Sequence, residues 1–220
     1  MPSRLSEGSA ECTSLEFEPR AENRIMNRAD VTELHYITAI ANVTSILQHG
    51  ILSNTHAAAL AHDSVAMPEI QARRRNKQIP GARPLHDYAN LYFDAHNPML
   101  SRCRNRNNEL CVLRINQNVL DLGNVIITDR NAATDMVRFW DVAEGLMRLD
   151  YQRLFAQYWT HPGDLYDQDN HKAEKCAEVL VPERVEAQLI IGASVANQIA
   201  LAAFQALNTG LPVQVHPMFF

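Results

Sequence analysis

No two cysteines of this chain stand in a C-x-x-C arrangement; Cys12, Cys103, Cys111 and Cys176 are scattered through its 220 residues. That argues against a structural zinc site and against a disulfide framework of the secreted kind. The cysteines read as reduced, buried, small apolar side chains. The nine histidines show neither H-E-x-x-H nor H-x-x-x-H spacing, so no metal is expected. No apolar run approaches the ~20 residues of a membrane span, and the N-terminus lacks a signal-peptide hydrophobic core. The expectation is a cytoplasmic protein without membrane attachment. Internal repeats and low-complexity tracts are missing as well. A basic surplus is also lacking: 20 Lys and Arg face 25 Asp and Glu, a net charge of −5. Overall charge therefore does not announce a nucleic-acid partner.

What is present is a local surplus. Between Glu69 and Arg106 stand eight basic residues (Arg73, Arg74, Arg75, Lys77, Arg83, Arg102, Arg104, Arg106) against Glu69, Asp87 and Asp94. A basic surface on an acidic protein can hold an anion or a phosphate backbone. Apolar residues make up 46% and charged residues 20%, enough for an ordinary core in one domain. Residues 1–30 are rich in Ser, Glu, Arg and Asn and read as a disordered leader, leaving 31–220 as the domain.

The periodicities predict mixed structure. LHYIT (34–38) reads as a strand, and a helix capped by Asn42 and ended by Gly50 follows. Residues 53–65 read as a loop, and MPEIQARRRNK as a short helix with Pro68 in its first turn. YANLYFD, ELCVLRI and GNVIIT read as strands. From Thr134 to Trp159 the spacing is helical, and 161–171 is a polar loop. KCAEVLV and QLIIGA are strands, a helix runs from Ser194 to about Leu207, and LPVQV is a last strand. Without regular βαβ alternation, the sum is α+β.

Several side chains invite chemistry. In KCAEVLVP (175–182), alternation sets Glu178 on the same side as Cys176 and Leu180. A carboxylate there is either an edge-strand group in water or the floor of a cleft. Arg73, Arg74 and Arg75 fan out about 100° apart if helical, so they cannot share one face. They form a solvated face, or one turns inward to clamp a diphosphate while the others meet a phosphate backbone. Tyr88 and Tyr92 share a strand face, as core aromatics or as stacking surfaces for a nicotinamide or base. The stretch from Gly192 to Ala196 half resembles a G-x-S-x-G elbow. Its final glycine is missing, and Ser194 suits an ordinary helix cap.

Three stretches, taken in order, carry a resemblance: HYITAIANVTSILQHGIL, EIQARRRNKQIPGARPLHDYANLYFDAHNPML and KCAEVLV. Together they resemble the DarT family of DNA ADP-ribosyltransferase toxins, which use NAD to attach ADP-ribose to a base of single-stranded DNA. The similarity runs from about Glu33 to Ala193. It implies an ADP-ribosyltransferase-like fold, a central split β-sheet with flanking helices. The family's essential glutamate falls on Glu178 and its essential arginine on Arg74, with Arg73 and Arg75 in the neighbouring registers. The family's Y-H-I-T strand, which holds NAD, is here His35-Tyr36-Ile37-Thr38. Thr38 matches, while aromatic and histidine have exchanged places. NAD-binding residues are then expected at His35, Tyr36, Thr38, Tyr88 and Tyr92. DNA contacts are expected at Arg73, Arg75, Lys77, Arg102, Arg104 and Asn131. Asn131 and His96 depart from the family near the base pocket, so thymine and guanine both remain open as the modified base.

The resemblance also implies a chemistry. Cleavage of the nicotinamide–ribose bond develops an oxocarbenium-like ribose, which Glu178 would stabilise before accepting the proton of the attacking base. Arg74 would hold the diphosphate or the reacting groups in line, with NAD as ADP-ribose donor and no metal. Single-stranded DNA suits this reaction because extruding an unpaired base costs least. A DarG-type macrodomain antitoxin is the implied partner. The competing readings are the same chemistry on RNA or protein, and a nucleic-acid-binding module in which Glu178 is structural.

Overall fold

The computed structural model describes residues 24–220. Residues 1–23, and with them most of the expected leader, lie outside the described part. Residues 24–30, read from sequence as the end of that leader, pack on the body. Met26 is fully buried, Ile25 bridges to Asp150, and Asn27 and Asp30 cap one another across a short 3-10 turn at Arg28–Asp30.

Strand β1 (Glu33–Ala39) leads into helix α1 (Val43–His49), which ends at Gly50. Asn42, expected as its cap, makes no capping bond. Its amide spans Thr38 Oγ1 and the backbone of Asp63. Strand β2 (Ile51–Leu52), helix α2 (Asn54–Ala57) and helix α3 (Pro68–Arg75) follow. The expected loop at 53–65 thus contains a helical turn capped by Ser53. Next come β3 (Tyr88–Tyr92), α4 (Pro98–Arg102), β4 (Leu110–Asn116) and β5 (Ile126–Thr128).

The continuous helix expected from Thr134 to Trp159 does not form. Strand β6 (Phe139–Trp140) is followed by α5 (Val142–Met147) and α6 (Tyr151–Leu154). Asp141 and Asp150 each accept backbone N–H bonds as caps, so the chain restarts twice. The polar stretch 161–171, expected as a loop, holds most of α7 (Leu165–Glu174), capped by Asp164. Strands β7 (Glu178–Pro182), β8 (Arg184–Val185) and β9 (Ile190–Val195) precede α8 (Gln198–Gln205) and β10 (Val213–Val215). Ser194 is buried inside β9, and Asn197 caps α8 in its place.

Eight strands make one sheet in the order β10-β9-β4-β1-β3-β7-β5-β6, while β2 and β8 pair separately. Its neighbours are antiparallel except β10 and β9. β1 pairs with β4 from Glu33↔Asn116 through Ala39↔Leu110, but meets β3 only at His35↔Tyr92. Beyond that pair the two strands separate, so the sheet is split along its middle. β3 stays joined to β7 from Tyr88↔Pro182 to Tyr92↔Glu178.

Two of the apolar clusters take in residues of β1, one on each face of the sheet. Leu34, Leu91, Phe93, Leu113, Val179 and Phe204 belong to the larger. Ile37, Tyr92, Leu100, Leu110 and Val112 belong to the smaller. Strand alternation sends Leu34 to one and Ile37 to the other. Each such side chain stabilises the fold by about 1.5–3 kcal/mol on burial. The expected α+β architecture with a split sheet and flanking helices is the one observed.

Candidate active site

Glu178 opens β7, which lies between β3 and β5, and the residue is fully buried. The alternative of an edge-strand carboxylate in water is therefore overturned. Its backbone N–H donates to Thr128 Oγ1 at 3.0 Å, and that hydroxyl donates to the Arg130 carbonyl at 2.7 Å. The side chain is held by Arg74, whose Nη1 donates to Oε1 and Oε2 at 3.1 and 3.0 Å. The Ala132 N–H adds a bond to Oε1 at 3.3 Å. Oε2 thus accepts only from Arg74 among the described residues, which leaves it acceptor capacity.

Arg74 is the inward member of the triplet. Its side chain is 7% exposed, whereas Arg73 and Arg75 are exposed. The placement follows from α3: Pro68 starts the helix, and the three arginines fill its last turn, where cations complement the helix dipole. Successive side chains then diverge, and only the middle one meets the sheet.

A cleft of about 380 Å³ opens where β1 and β3 part. Tyr36 and Thr38 line one wall, and Tyr88 and Tyr92 the other. Arg73, Arg74, Arg102 and Asn131 also border it. His35 does not. Its Nε2 meets Glu33 Oε1 at 3.1 Å, its Nδ1 accepts from the Ala95 N–H at 3.2 Å, and its ring packs 5.0 Å from Phe219. Of the exchanged pair, the tyrosine faces the cleft and the histidine stands outside it.

The basic run divides similarly. Arg83 pairs with Glu183, and Arg106 with Asp63 and Glu109. Arg73, Arg75, Arg102 and Arg104 have no carboxylate partner among the described residues, and of these Arg73 and Arg102 reach the cleft. Lys77 lies outside the cleft lining and donates from Nζ to the Thr134 carbonyl at 2.8 Å. His96 is also committed elsewhere, with Nε2 2.9 Å from the Gln157 carbonyl oxygen and its ring 5.1 Å from Trp159.

Burial favours the protonated phenols of Tyr92 and Tyr36. Burial, reinforced by the Glu178 carboxylate, pushes the Tyr92 hydroxyl well above its ordinary value. Burial likewise raises Tyr36. At the cleft wall, burial followed by the charges of Arg74 and Arg75 lowers His86, which favours a neutral ring.

Three contributors escaped the sequence. The Ala132 contact comes from a backbone amide, which has no residue-type signature. Thr128 looks like an ordinary strand residue until it is seen supporting Glu178. Asn42 offered a visible polar group, but its helix-cap reading concealed its tie to Asp63 across the cleft edge.

A family model described as ssDNA thymidine ADP-ribosyltransferase, DarT, matches residues 35–220. A DNA ADP-ribosyl transferase–DNA ADP-ribosyl glycohydrolase fusion protein of Thermosipho africanus is 29% identical over 202 residues, 86% of this chain and 49% of that protein. The chain thus spans about half the length of that relative. The solved structure of Thermosipho africanus DarTG in complex with ADP-ribose superposes with a TM-score of 0.73 at 28% identity, covering 86% of this chain and 51% of the other. A DNA ADP-ribosyl transferase of Thermus aquaticus is 29% identical over 197 residues, 84% of this chain and 85% of the relative. The structure of Thermus sp. 2.9 DarT in complex with ADP-ribosylated ssDNA shares the fold, with a TM-score of 0.73, 24% identity, and coverage of 90% and 99%. With the family match extending over most of its length, the chain belongs to the DarT family of ssDNA thymidine ADP-ribosyltransferases.

Proposed function

We propose that this chain transfers ADP-ribose from NAD to a thymine of single-stranded DNA, as the toxin of a toxin–antitoxin pair. The observation that carries the reading is the Arg74–Glu178 pair beneath the cleft in the split sheet. Family membership supports thymine as the base, and guanine is the alternative that the test must separate.

NAD supplies an ADP-ribosyl group whose bond to nicotinamide breaks as the ribose becomes oxocarbenium-like. Glu178 Oε2 has acceptor capacity for a ribose hydroxyl, an interaction that strengthens as positive charge develops. Arg74 engages the carboxylate through one nitrogen, leaving its other guanidinium donors for the diphosphate. Tyr36 and Thr38 would border the NAD, with Tyr88 and Tyr92 on the opposite wall. Thymine within DNA carries its ring proton on N3, so attack through N3 forms the new C–N bond and releases that proton toward Glu178. The products are nicotinamide and ADP-ribosylated DNA. This is glycosyl transfer and not nucleotidyl transfer, because the phosphate linkages remain intact.

Arg73 and Arg102 are the cationic side chains at the cleft that would hold the DNA backbone, with Arg75 and Arg104 extending that surface. Asn131 would lie beside the base. We place the reaction in the cytoplasm; no helix of the described residues is long and apolar enough to cross a membrane. Among those residues no group of three or more His, Cys, Asp or Glu is arranged to hold a metal. The partner would be a DarG-type macrodomain glycohydrolase, a pairing supported by the fusion in the Thermosipho relative.

The decisive experiment is mass spectrometry of single-stranded oligonucleotides incubated with the protein and NAD, beside matched RNA and protein pools. One ADP-ribosyl group on a thymidine-containing DNA is expected. Modification confined to guanine corrects the base; label appearing only in RNA or protein removes DNA as the acceptor.

A further inference from the structure

Lys77 is one of the basic residues expected at a DNA backbone, yet its amine is directed to another task. It follows α3 by two residues, and its own backbone is fixed on both sides. Its N–H donates to the Arg74 carbonyl at 3.2 Å, and its carbonyl accepts the Leu85 N–H at 2.9 Å. From that anchored position Nζ donates to the Thr134 carbonyl at 2.8 Å.

Thr134 ends a tight turn. The Asn131 carbonyl accepts from the Thr134 N–H at 3.0 Å and from its hydroxyl at 3.0 Å, while Asn131 Oδ1 accepts from the Ala133 N–H at 2.9 Å. These bonds leave the Ala132 N–H to meet Glu178 Oε1 at 3.3 Å. A closed circuit results, from Arg74 to Glu178, through Ala132 and the turn to Thr134, then through Lys77 back to the backbone of Arg74. Arg74 and Lys77 are three residues apart, so one anchored segment grips both the carboxylate and the turn that touches it.

We propose that Lys77 is a positioning residue that docks the 131–134 turn onto the Arg74–Glu178 pair. The turn brings Asn131 and Thr134 to the cleft, so Lys77 would set the acceptor side of the cleft against its NAD side. This inference rests on the transfer reaction proposed above. A displacement of about 1 Å is enough to cost an oriented reaction about a hundredfold, although Lys77 touches neither reactant.

The test compares the full chain with Lys77→Met and Lys77→Arg. Hydrogen exchange without substrate should show faster exchange of the 129–138 segment in Lys77→Met, with protection regained in Lys77→Arg. With NAD and a thymidine-containing single strand, kcat of Lys77→Met should fall by about tenfold or more, while the KM for NAD stays within about threefold. DNA affinity and its salt dependence should be unchanged. A contact to phosphate would instead weaken DNA binding and reduce the salt slope by about 0.7. That result overturns the proposal, as does unchanged exchange of the turn. If Lys77→Met does not fold, Lys77→Gln replaces it under the same criteria, since its shorter side chain should not span to Thr134. Failure of the unmodified protein to label DNA would count against the functional reading, while the exchange measurement would still decide the linkage.

Discussion

At the scale of single residues, the Arg74–Glu178 pair sets what mutation can reveal. Both charges are withdrawn from water, with side chains 7% and 0% exposed. Removing one partner leaves the other buried without compensation, which costs about 3–5 kcal/mol. Glu178→Ala should therefore lose activity and stability together, contrary to the simplest expectation for a catalytic residue. Glu178→Gln is the cleaner probe, because an amide oxygen can still accept from Arg74 and Ala132. Transfer by Glu178→Gln should fall by about a hundredfold or more. Its melting temperature should stay above that of Glu178→Ala. Calorimetry with a labelled-NAD assay checks both expectations, and transfer surviving in Glu178→Gln would remove the catalytic role. Sequence alone made Glu178 conspicuous as a charge in an apolar strand. Its burial was not legible, because β3 and β5 reach it from distant parts of the chain and no local pattern distinguishes a central strand from an edge.

At the scale of elements, alternation made the strands legible, while apolar spacing alone did not bound the helices. The strands β1, β3, β4 and β7 announced themselves through alternation or aromatic content. The segment 134–159 misled because apolar spacings of three and four recur across a short strand and two separate helices. Asp141 and Asp150 were the available punctuation, each restarting a helix. Gly50 was read as the end of α1, and the structure supplies a stricter requirement. Its φ is +82°, and an added Cβ would lie 2.5 Å from the Val185 carbonyl oxygen. Gly81 also has positive φ, +67°, but a Cβ there would meet nothing within 4 Å. Gly81→Ala should thus cost only the dihedral preference, about 1 kcal/mol. Gly50→Ala adds collision with backbone that cannot move without shifting β8, so about 2–4 kcal/mol is expected. Urea unfolding of the two variants measures the difference; equal midpoints would show that the junction between α1 and β8 yields freely.

At the scale of the whole molecule, the split sheet needs a firmly closed partner, and the β1–β4 ladder provides it. Glu33 reinforces that ladder at the end away from Ala39. Arg114 on β4 reaches its carboxylate at 2.7 Å, and His35 Nε2 lies 3.1 Å from its other oxygen. Burial tends to raise the Glu33 carboxyl, but hydrogen bonds from His35 and Arg114 prevail and lower it from 4.5 to about 2. A depressed carboxylate contributes stability that is fully present above pH 4.5 and is lost as pH falls toward about 2. With Glu33 only half-buried, solvent screening limits the contribution to about 1–2 kcal/mol. His86 and His171 act earlier in an acid titration. Burial lowers both from 6.5, assisted at His86 by Arg74 and Arg75 and opposed at His171 by its bond to the Arg153 carbonyl. Their neutral forms are favoured in the folded chain, so the unfolded chain takes up protons first and stability declines as pH drops below 6.5. Thermal unfolding from about pH 8 to about pH 3 should therefore show a first decline below 6.5 and a steeper one below 4.5. Glu33→Gln should lower the melting temperature at neutral pH and approach the unmodified protein in acid, because protonation removes the same charge. Parallel curves for the two proteins below pH 4.5 would show that the Glu33–Arg114 link does not hold the closed side of the sheet.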